Sequence, residues 1–210
     1  MTKGDAALHD YGNVAGNAYD KYHSRNPIAR ALMNGFLGAF DRLAGRAAPR
    51  TAFEVGCGEG ELSVRLLDQG IDVRGFDLEA DVVGEANALA CARGHGERFT
   101  TRSIYDLGPG EITTDLLVCC EVLEHLPDPA LALDVLAAQR ARHVLLSVPR
   151  EPIWRALNMA RGKYLGQLGN TPGHLQHWSQ SGFRRFVGRR LEIVELAAPL
   201  PWTMLLCRPR

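Results

Sequence analysis

The chain carries no paired-cysteine motif. Its five cysteines, Cys57, Cys91, Cys119, Cys120 and Cys207, are odd in number, scattered and without a C-x-x-C spacing. That excludes a disulfide framework and a cysteine zinc site as organising principles. Cys57, Cys119 and Cys120 read instead as small buried fillers. An excess of one charge is also missing: 24 basic and 24 acidic residues leave a net charge of zero. No global field therefore favours nucleic acid or an anionic membrane, and a small molecule is the expected partner. No apolar run approaches the roughly 20 residues of a membrane span. The opening MTKGDAALHD has none of the apolar core of a signal peptide. A cytoplasmic location is expected, while peripheral membrane contact has no support and the oligomeric state stays open.

What is present is enough apolar material for one core, 46% of 210 residues, and nothing that asks for a second domain. The stretch that organises it is Thr51 to Gly60, TAFEVGCGEG, a short apolar strand running into closely spaced glycines and then a helix. Such a turn brings bare backbone against a ligand at the carboxyl edge of a parallel sheet. Gly56 and Gly58 fit the opening of the dinucleotide fingerprint G-x-G-x-x-G, but the third glycine, Gly60, comes one residue early and Glu61 stands where that fingerprint wants glycine or alanine. Glu54, Glu59 and Glu61 put acid where a pyrophosphate would sit, so a cationic ligand is the better electrostatic match.

The segment EVGCGEG resembles the first motif of the class I S-adenosylmethionine-dependent methyltransferases, an acidic and a hydrophobic residue followed by G-x-G-x-G. The later segment EVLEHLPDP is similar to the fourth-motif region of ubiquinone-biosynthesis O-methyltransferases. The resemblance covers roughly residues 50 to 208. It implies S-adenosyl-L-methionine as cofactor, bound by Glu54, Gly56, Cys57, Gly58 and Gly60 at the first turn. Asp77 and Leu78 follow at the end of the second strand, 21 residues beyond Gly56, where an acidic side chain can accept from both ribose hydroxyls. The resemblance places the adenine near Ser103, Ile104 and Tyr105; family members often carry Asp where Ser103 stands, and Asp106 can serve instead. It places the methionine part at Cys120 and Glu121.

The first 25 residues are polar and rich in Asn, Gly and Tyr, and Tyr22, with Tyr19, can close over a bound cofactor. Asn26-Pro27 then signals a helix start. Ile28, Ala31, Leu32, Gly35, Phe36, Ala39, Phe40 and Leu43 fall on one face at spacings of three and four. That face suits packing on a sheet, or a movable lid. Strands are expected at Ile71 to Asp77, Phe99 to Ile104, Leu116 to Cys120, Arg142 to Pro149, Leu191 to Ala197 and Trp202 to Arg208. Helices are expected at 61–69, 79–93, 129 onward, 152–163 and 181–188, and Arg184, Arg185, Arg189 and Arg190 read as a solvated face.

Alternating strands and helices argue for an α/β fold with a doubly wound, mostly parallel sheet. The resemblance makes it a seven-stranded Rossmann-like sheet with a final antiparallel strand and an N-terminal helical extension. One domain, 1–210, is expected, with 1–48 as extension and lid helix, 50–208 as cofactor-binding core and 150–180 as an acceptor-site insertion. Long connections at the carboxyl edge build substrate pockets, so His174 and His177 are candidates to orient or deprotonate an acceptor, with Trp154 and Trp178 as apolar wall. His125 leaves the fourth strand beside Glu121 and Glu124. These three can hold a divalent ion, but the reading adopted is no metal, with His125 as base. The expected activity is methyl transfer from S-adenosylmethionine to a small acceptor, with oxygen as the favoured recipient. N- or C-methylation, a non-catalytic cofactor-binding protein and, less favoured, an NAD-dependent oxidoreductase are the alternatives.

Overall fold

The computed structural model describes residues 26–210; Tyr19, Tyr22 and the expectations placed on the first 25 residues lie outside them. Helix α1, Pro27–Ala47, begins where the sequence signals it. The Asn26 side-chain oxygen accepts from the amides of Ile28 (2.9 Å) and Ala29 (3.3 Å), and Pro27 needs no such partner. The buried face is Met33, Phe36, Phe40, Leu43, Ala44 and Ala47. This stripe is rotated from the expected one, and Ile28 is 69% exposed. Residues 33–47 of the helix dock on the sheet, the first of the two readings that its apolar face allowed, with Phe36 edge-on to Trp202 at 4.9 Å.

Seven strands follow: β1 Thr51–Val55, β2 Asp72–Asp77, β3 Phe99–Thr101, β4 Thr113–Cys120, β5 Arg140–Pro149, β6 Leu191–Ala197 and β7 Trp202–Pro209. They form one sheet in the order β3-β2-β1-β4-β5-β7-β6. Pairing from β3 through β5 is parallel, and β7 runs antiparallel to both β5 and β6. The helices between are α2 Glu61–Leu67, α3 Ala80–Ala92, α4 Pro129–Ala137, α5 Ile153–Ala160 and α6 Gln180–Val187. β3 is shorter than expected because Ser103 caps a tight turn at Ile104–Asp106, accepting from the Tyr105 amide. Gly162, with φ 68°, follows the last turn of α5 before Lys163 can join it.

The continuous apolar runs of β4 and β5 are buried on both faces, as central parallel strands must be. One core layer joins α1, α2 and α3 to the sheet through Val118, Leu145 and Leu206. The other joins α4 and α6 through Leu117, Leu146 and Leu205. Four of the cysteines are buried fillers and Cys91 is exposed; none is in a disulfide.

Glu54 is a carboxyl enclosed within this core. It is 2% exposed and accepts from the Ser63 hydroxyl in the first turn of α2, so it ties strand to helix. Burial, reinforced by the nearby Asp77 carboxylate and opposed by the Ser63 hydrogen bond, pushes its pKa up to about 8. The share of negative charge that the sequence assigned to Glu54 at this turn is therefore largely absent at neutral pH. Between about 4.5 and 8 the folded state holds a proton on Glu54 that the unfolded chain releases. Stability consequently falls as pH rises through this window. The expected slope approaches 1 kcal/mol per pH unit on an order-of-magnitude basis. Urea unfolding at pH 5.5 and 8 should show the loss in the wild type and a flatter profile in Glu54→Gln; equal slopes would place the ionised form in the fold.

Candidate active site at the carboxyl edge of the sheet

Between β1 and α2 the backbone takes positive φ at Gly56 (73°), Gly58 (52°) and Gly60 (84°). Each glycine is required for a different reason. A Cβ at Gly56 would lie 2.4 Å from a Val122 methyl, and one at Gly60 would lie 3.0 Å from the Ala86 Cβ and 3.1 Å from its Cα on α3. At Gly58 an added Cβ meets nothing within 4 Å. The first and last glycines thus serve packing, while Gly58 borders open space. The amides of Gly56 and Cys57 both donate to the Phe76 carbonyl, at 2.8 and 3.0 Å, which fixes the turn against β2. Cys57 is 6% exposed, so it can offer a ligand its backbone but not its thiol, whose pKa burial raises.

Asp77, at the end of β2, braces the same turn. Its carboxylate accepts from the Gly58 amide at 2.8 Å and from the Glu79 amide at 3.3 Å. Each oxygen keeps a further lone pair. Leu78 beside it is 52% exposed, an apolar surface at the rim. Ser103 caps the next turn and Ile104 is buried. The Tyr105 hydroxyl donates to the Asp128 carbonyl at 3.1 Å, pinning the loop ahead of α4. Of the candidates for cofactor contact, Glu54 departs most from expectation: its carboxyl is turned to Ser63 inside the core and reaches the cleft only through the geometry of the turn.

Glu121 follows β4 with φ 60°, a conformation that costs a non-glycine residue roughly 1–2 kcal/mol. Its side chain is held from two sides, by the Ser147 hydroxyl at 2.8 Å and the Trp202 indole N–H at 2.6 Å. Ser147 lies on β5 and Trp202 on β7, so the next two strands of the sheet hold a reversal that the local chain disfavours. Glu124, His125 and His174 then come together, with one potential ligand atom from each within 4.8 Å of the others. The third member alongside Glu124 and His125 is thus His174, not Glu121 as the local spacing suggests. The connection after α5 folds back here because the Glu124 carbonyl accepts from the Leu175 and Gln176 amides at 2.8 and 3.0 Å. The Nδ1–H of His125 donates to the Gly173 carbonyl at 3.0 Å, so in the neutral ring the lone pair lies on Nε2.

An aromatic wall runs from this cluster toward α1. The His174 ring stands edge-on to His125 at 4.9 Å and stacks on Trp154 at 5.8 Å. Trp154 meets Trp202 at 5.6 Å and donates its indole N–H to the Thr171 hydroxyl at 2.9 Å. Two expected members are elsewhere. His177 is exposed and sits 2.5 Å from the Asn170 side-chain oxygen, while Trp178 packs on Phe183 and Phe186 over α6. Trp202 is the residue sequence reading missed; only the insertion of β7 beside β5 brings it to Glu121.

Residues 28–190 match the family described as Methyltransferase domain. Among curated proteins, the chain is 36% identical over 111 residues to the ubiquinone biosynthesis O-methyltransferase of Methylococcus capsulatus, covering 51% of this chain and 43% of the relative. It is 34% identical over 119 residues to the Burkholderia cenocepacia protein of the same name, covering 55% and 46%. The chain therefore spans less than half the length of these relatives. Among solved structures it is similar to magnesium protoporphyrin IX methyltransferase from Synechocystis PCC 6803 with bound SAM, with TM-score 0.69, 19% identity and coverage of 99% and 100% of the two chains. It is likewise similar to the mitomycin 7-O-methyltransferase, with TM-score 0.61, 20% identity and coverage of 89% and 59%. At these identities the structures establish the shared fold. With the family match extending over most of its length, the chain belongs to the methyltransferase domain family.

Proposed function

We propose that this chain is an S-adenosylmethionine-dependent methyltransferase acting on a small-molecule acceptor, with an oxygen as the favoured methyl recipient. The observation that carries this reading is the Gly58 turn. It is a left-handed backbone bordering open space, braced by Asp77, whose carboxylate has lone pairs left for a ribose. The likeness to O-methyltransferases supports oxygen as the recipient. Glu61 at the fingerprint position that calls for glycine or alanine disfavours a dinucleotide.

When bound, S-adenosylmethionine supplies a methyl group on a sulfonium leaving group. The protein's main task is then to hold the acceptor in line, which can supply roughly 7–11 kcal/mol. The Gly56–Gly60 backbone, Asp77 and the Cys120–Glu121 backbone hold the cofactor. Leu78, Ser103, Ile104 and Tyr105 border its adenine. Trp154, Trp202 and His174 wall the acceptor. His125 Nε2 takes the acceptor proton, a contribution of about 10²–10⁴-fold.

Calorimetric titration with S-adenosylmethionine and with NADH tests the cofactor, and only the former should bind. Turnover with phenolic hydroxyl acceptors, compared with amines, tests the recipient; cofactor binding without turnover of any acceptor would favour a non-catalytic binding protein. Asp77→Ala should weaken cofactor binding by about 1.5–3 kcal/mol, the range for hydrogen bonds to a charged group. A change of a few tenths would release Asp77 from the ribose. Gly58→Val should lose measurable cofactor binding while keeping a cooperative thermal transition, lowered by the roughly 1–2 kcal/mol that a side chain costs in the left-handed region, since its side chain enters empty space rather than core; normal affinity in that folded variant would refute the turn assignment. His125→Ala should lower turnover by at least about tenfold at nearly unchanged cofactor affinity, with EDTA leaving the wild type active. Activity lost to EDTA and regained with magnesium or zinc would instead assign Glu124, His125 and His174 to a divalent cation, for which their carboxylate and imidazole donors are suitable.

A further inference from the structure

A second cleft, on the opposite side of β5 from the aromatic wall, has no part in the methyl-transfer reading. It is open, about 350 Å³ in volume, and lined by Arg150, Glu151, Ile153, Ser179, Gln180, Ser181 and Arg184. Its position follows from strand alternation. In β5, Leu145 belongs to the core layer under α1, whereas Val144, Leu146 and Val148 belong to the layer under α6. Arg150 continues the even-numbered face, and Ser147, which holds Glu121, is on the odd one.

The walls of this cleft are anchored through the backbone. The Arg150 amide donates to the Pro201 carbonyl and the Glu151 amide to the Trp178 carbonyl, both at 2.8 Å, and Arg150 pairs with Trp178 in an isolated bridge. Arg184 lies one turn after Gln180 on α6, so the two share a face, and helical side chains lean toward the N-terminus, here toward the cleft.

Among the described residues, neither Arg150 nor Arg184 forms an ion pair. Arg150 donates from Nη1 to the Gln180 side-chain oxygen at 3.3 Å, while its Nε–H is buried without an acceptor. Arg190, by contrast, is paired with Asp134. The one carboxyl lining the cleft, Glu151, accepts from the Arg155 amide at 3.4 Å. Burial raises its pKa, and the cations that oppose this are His177 and Arg155, not the two cleft arginines. The hydroxyls of Ser179 and Ser181, 3.3 Å apart, add donors at the start of α6. The guanidinium fork of each arginine matches the oxygens of a phosphate-type anion.

We propose that this cleft is a binding site for a phosphate-type oxyanion, either free or as the phosphoryl group of a larger small molecule, held between Arg150 and Arg184 with Ser179 and Ser181 as hydroxyl donors. The proposal is independent of the methyl-transfer reading, because none of these residues holds Glu121 or joins the His125 cluster.

The test is calorimetric titration of the purified protein, without cofactor and at fixed ionic strength, with inorganic phosphate and with glycerol phosphate. Saturable one-site binding by the wild type is expected. Arg184→Glu, a substitution at an exposed position, should weaken it at least tenfold with no change in melting temperature in phosphate-free buffer. Arg150→Gln should weaken it as strongly. Arg185→Glu, an equal charge change outside the cleft, should leave it within twofold. Tighter binding of glycerol phosphate than of phosphate assigns the site to a phosphorylated molecule; equal or weaker binding assigns it to the free ion. Absence of saturation in the wild type, or equal losses in Arg184→Glu and Arg185→Glu, would overturn the proposal.

Discussion

A left-handed turn that only glycine can make sets the rest of this structure. Between Val55 and Glu61 the chain must leave a buried strand and enter a buried helix, and it does so with positive φ at three alternate positions. Gly56 lets Val122 close over the turn, and Gly60 lets α3 pack against the start of α2. With those contacts made, the Gly58 backbone is held at the carboxyl edge of β1 next to Asp77, with open space beside it. The cleft therefore results from satisfying packing on either side of one residue.

The electrostatics of the edge are governed by burial more than by residue type. Glu54 and Glu124 are both almost wholly enclosed, at 2% and 1% exposure, yet they serve different ends. Glu54 becomes a largely protonated brace between β1 and α2. Glu124 sits beside two imidazoles, and its backbone carbonyl anchors the long connection after α5. Glu121 is held on both carboxylate oxygens by residues of β5 and β7, and that support accompanies an unfavourable backbone conformation. Strain of this kind persists only where surrounding structure over-determines it, and functional edges are where it concentrates.

Much of the architecture was legible in advance because its signals are local. The Asn26-Pro27 start, the apolar runs of β4 and β5, and the glycine spacing each depend on neighbours in the chain. So does Asp77, because the last residue of a parallel strand lies at the carboxyl edge of the sheet. The rotated face of α1 was misread because Ile28 is apolar but lies beyond the sheet, and periodicity reports polarity, not what is there to pack against. His177 and Trp178 stand apart from the His125 cluster, which the sequence could not show for a similar reason: within an irregular connection no period says which way a side chain turns.

The sequence by itself therefore determined the parallel α/β sheet, the glycine turn and the acidic strand end. These follow from backbone sterics and side-chain alternation over a few residues. Tertiary structure decided the company each side chain keeps. Placing β7 between β5 and β6 delivers Trp202 to Glu121, and two amides bonding one carbonyl deliver His174 to His125. Those meetings join residues 81 and 49 positions apart in the chain. They arise from strand order and loop closure, which depend on the free energy of the whole packed core and leave no periodic trace in the sequence.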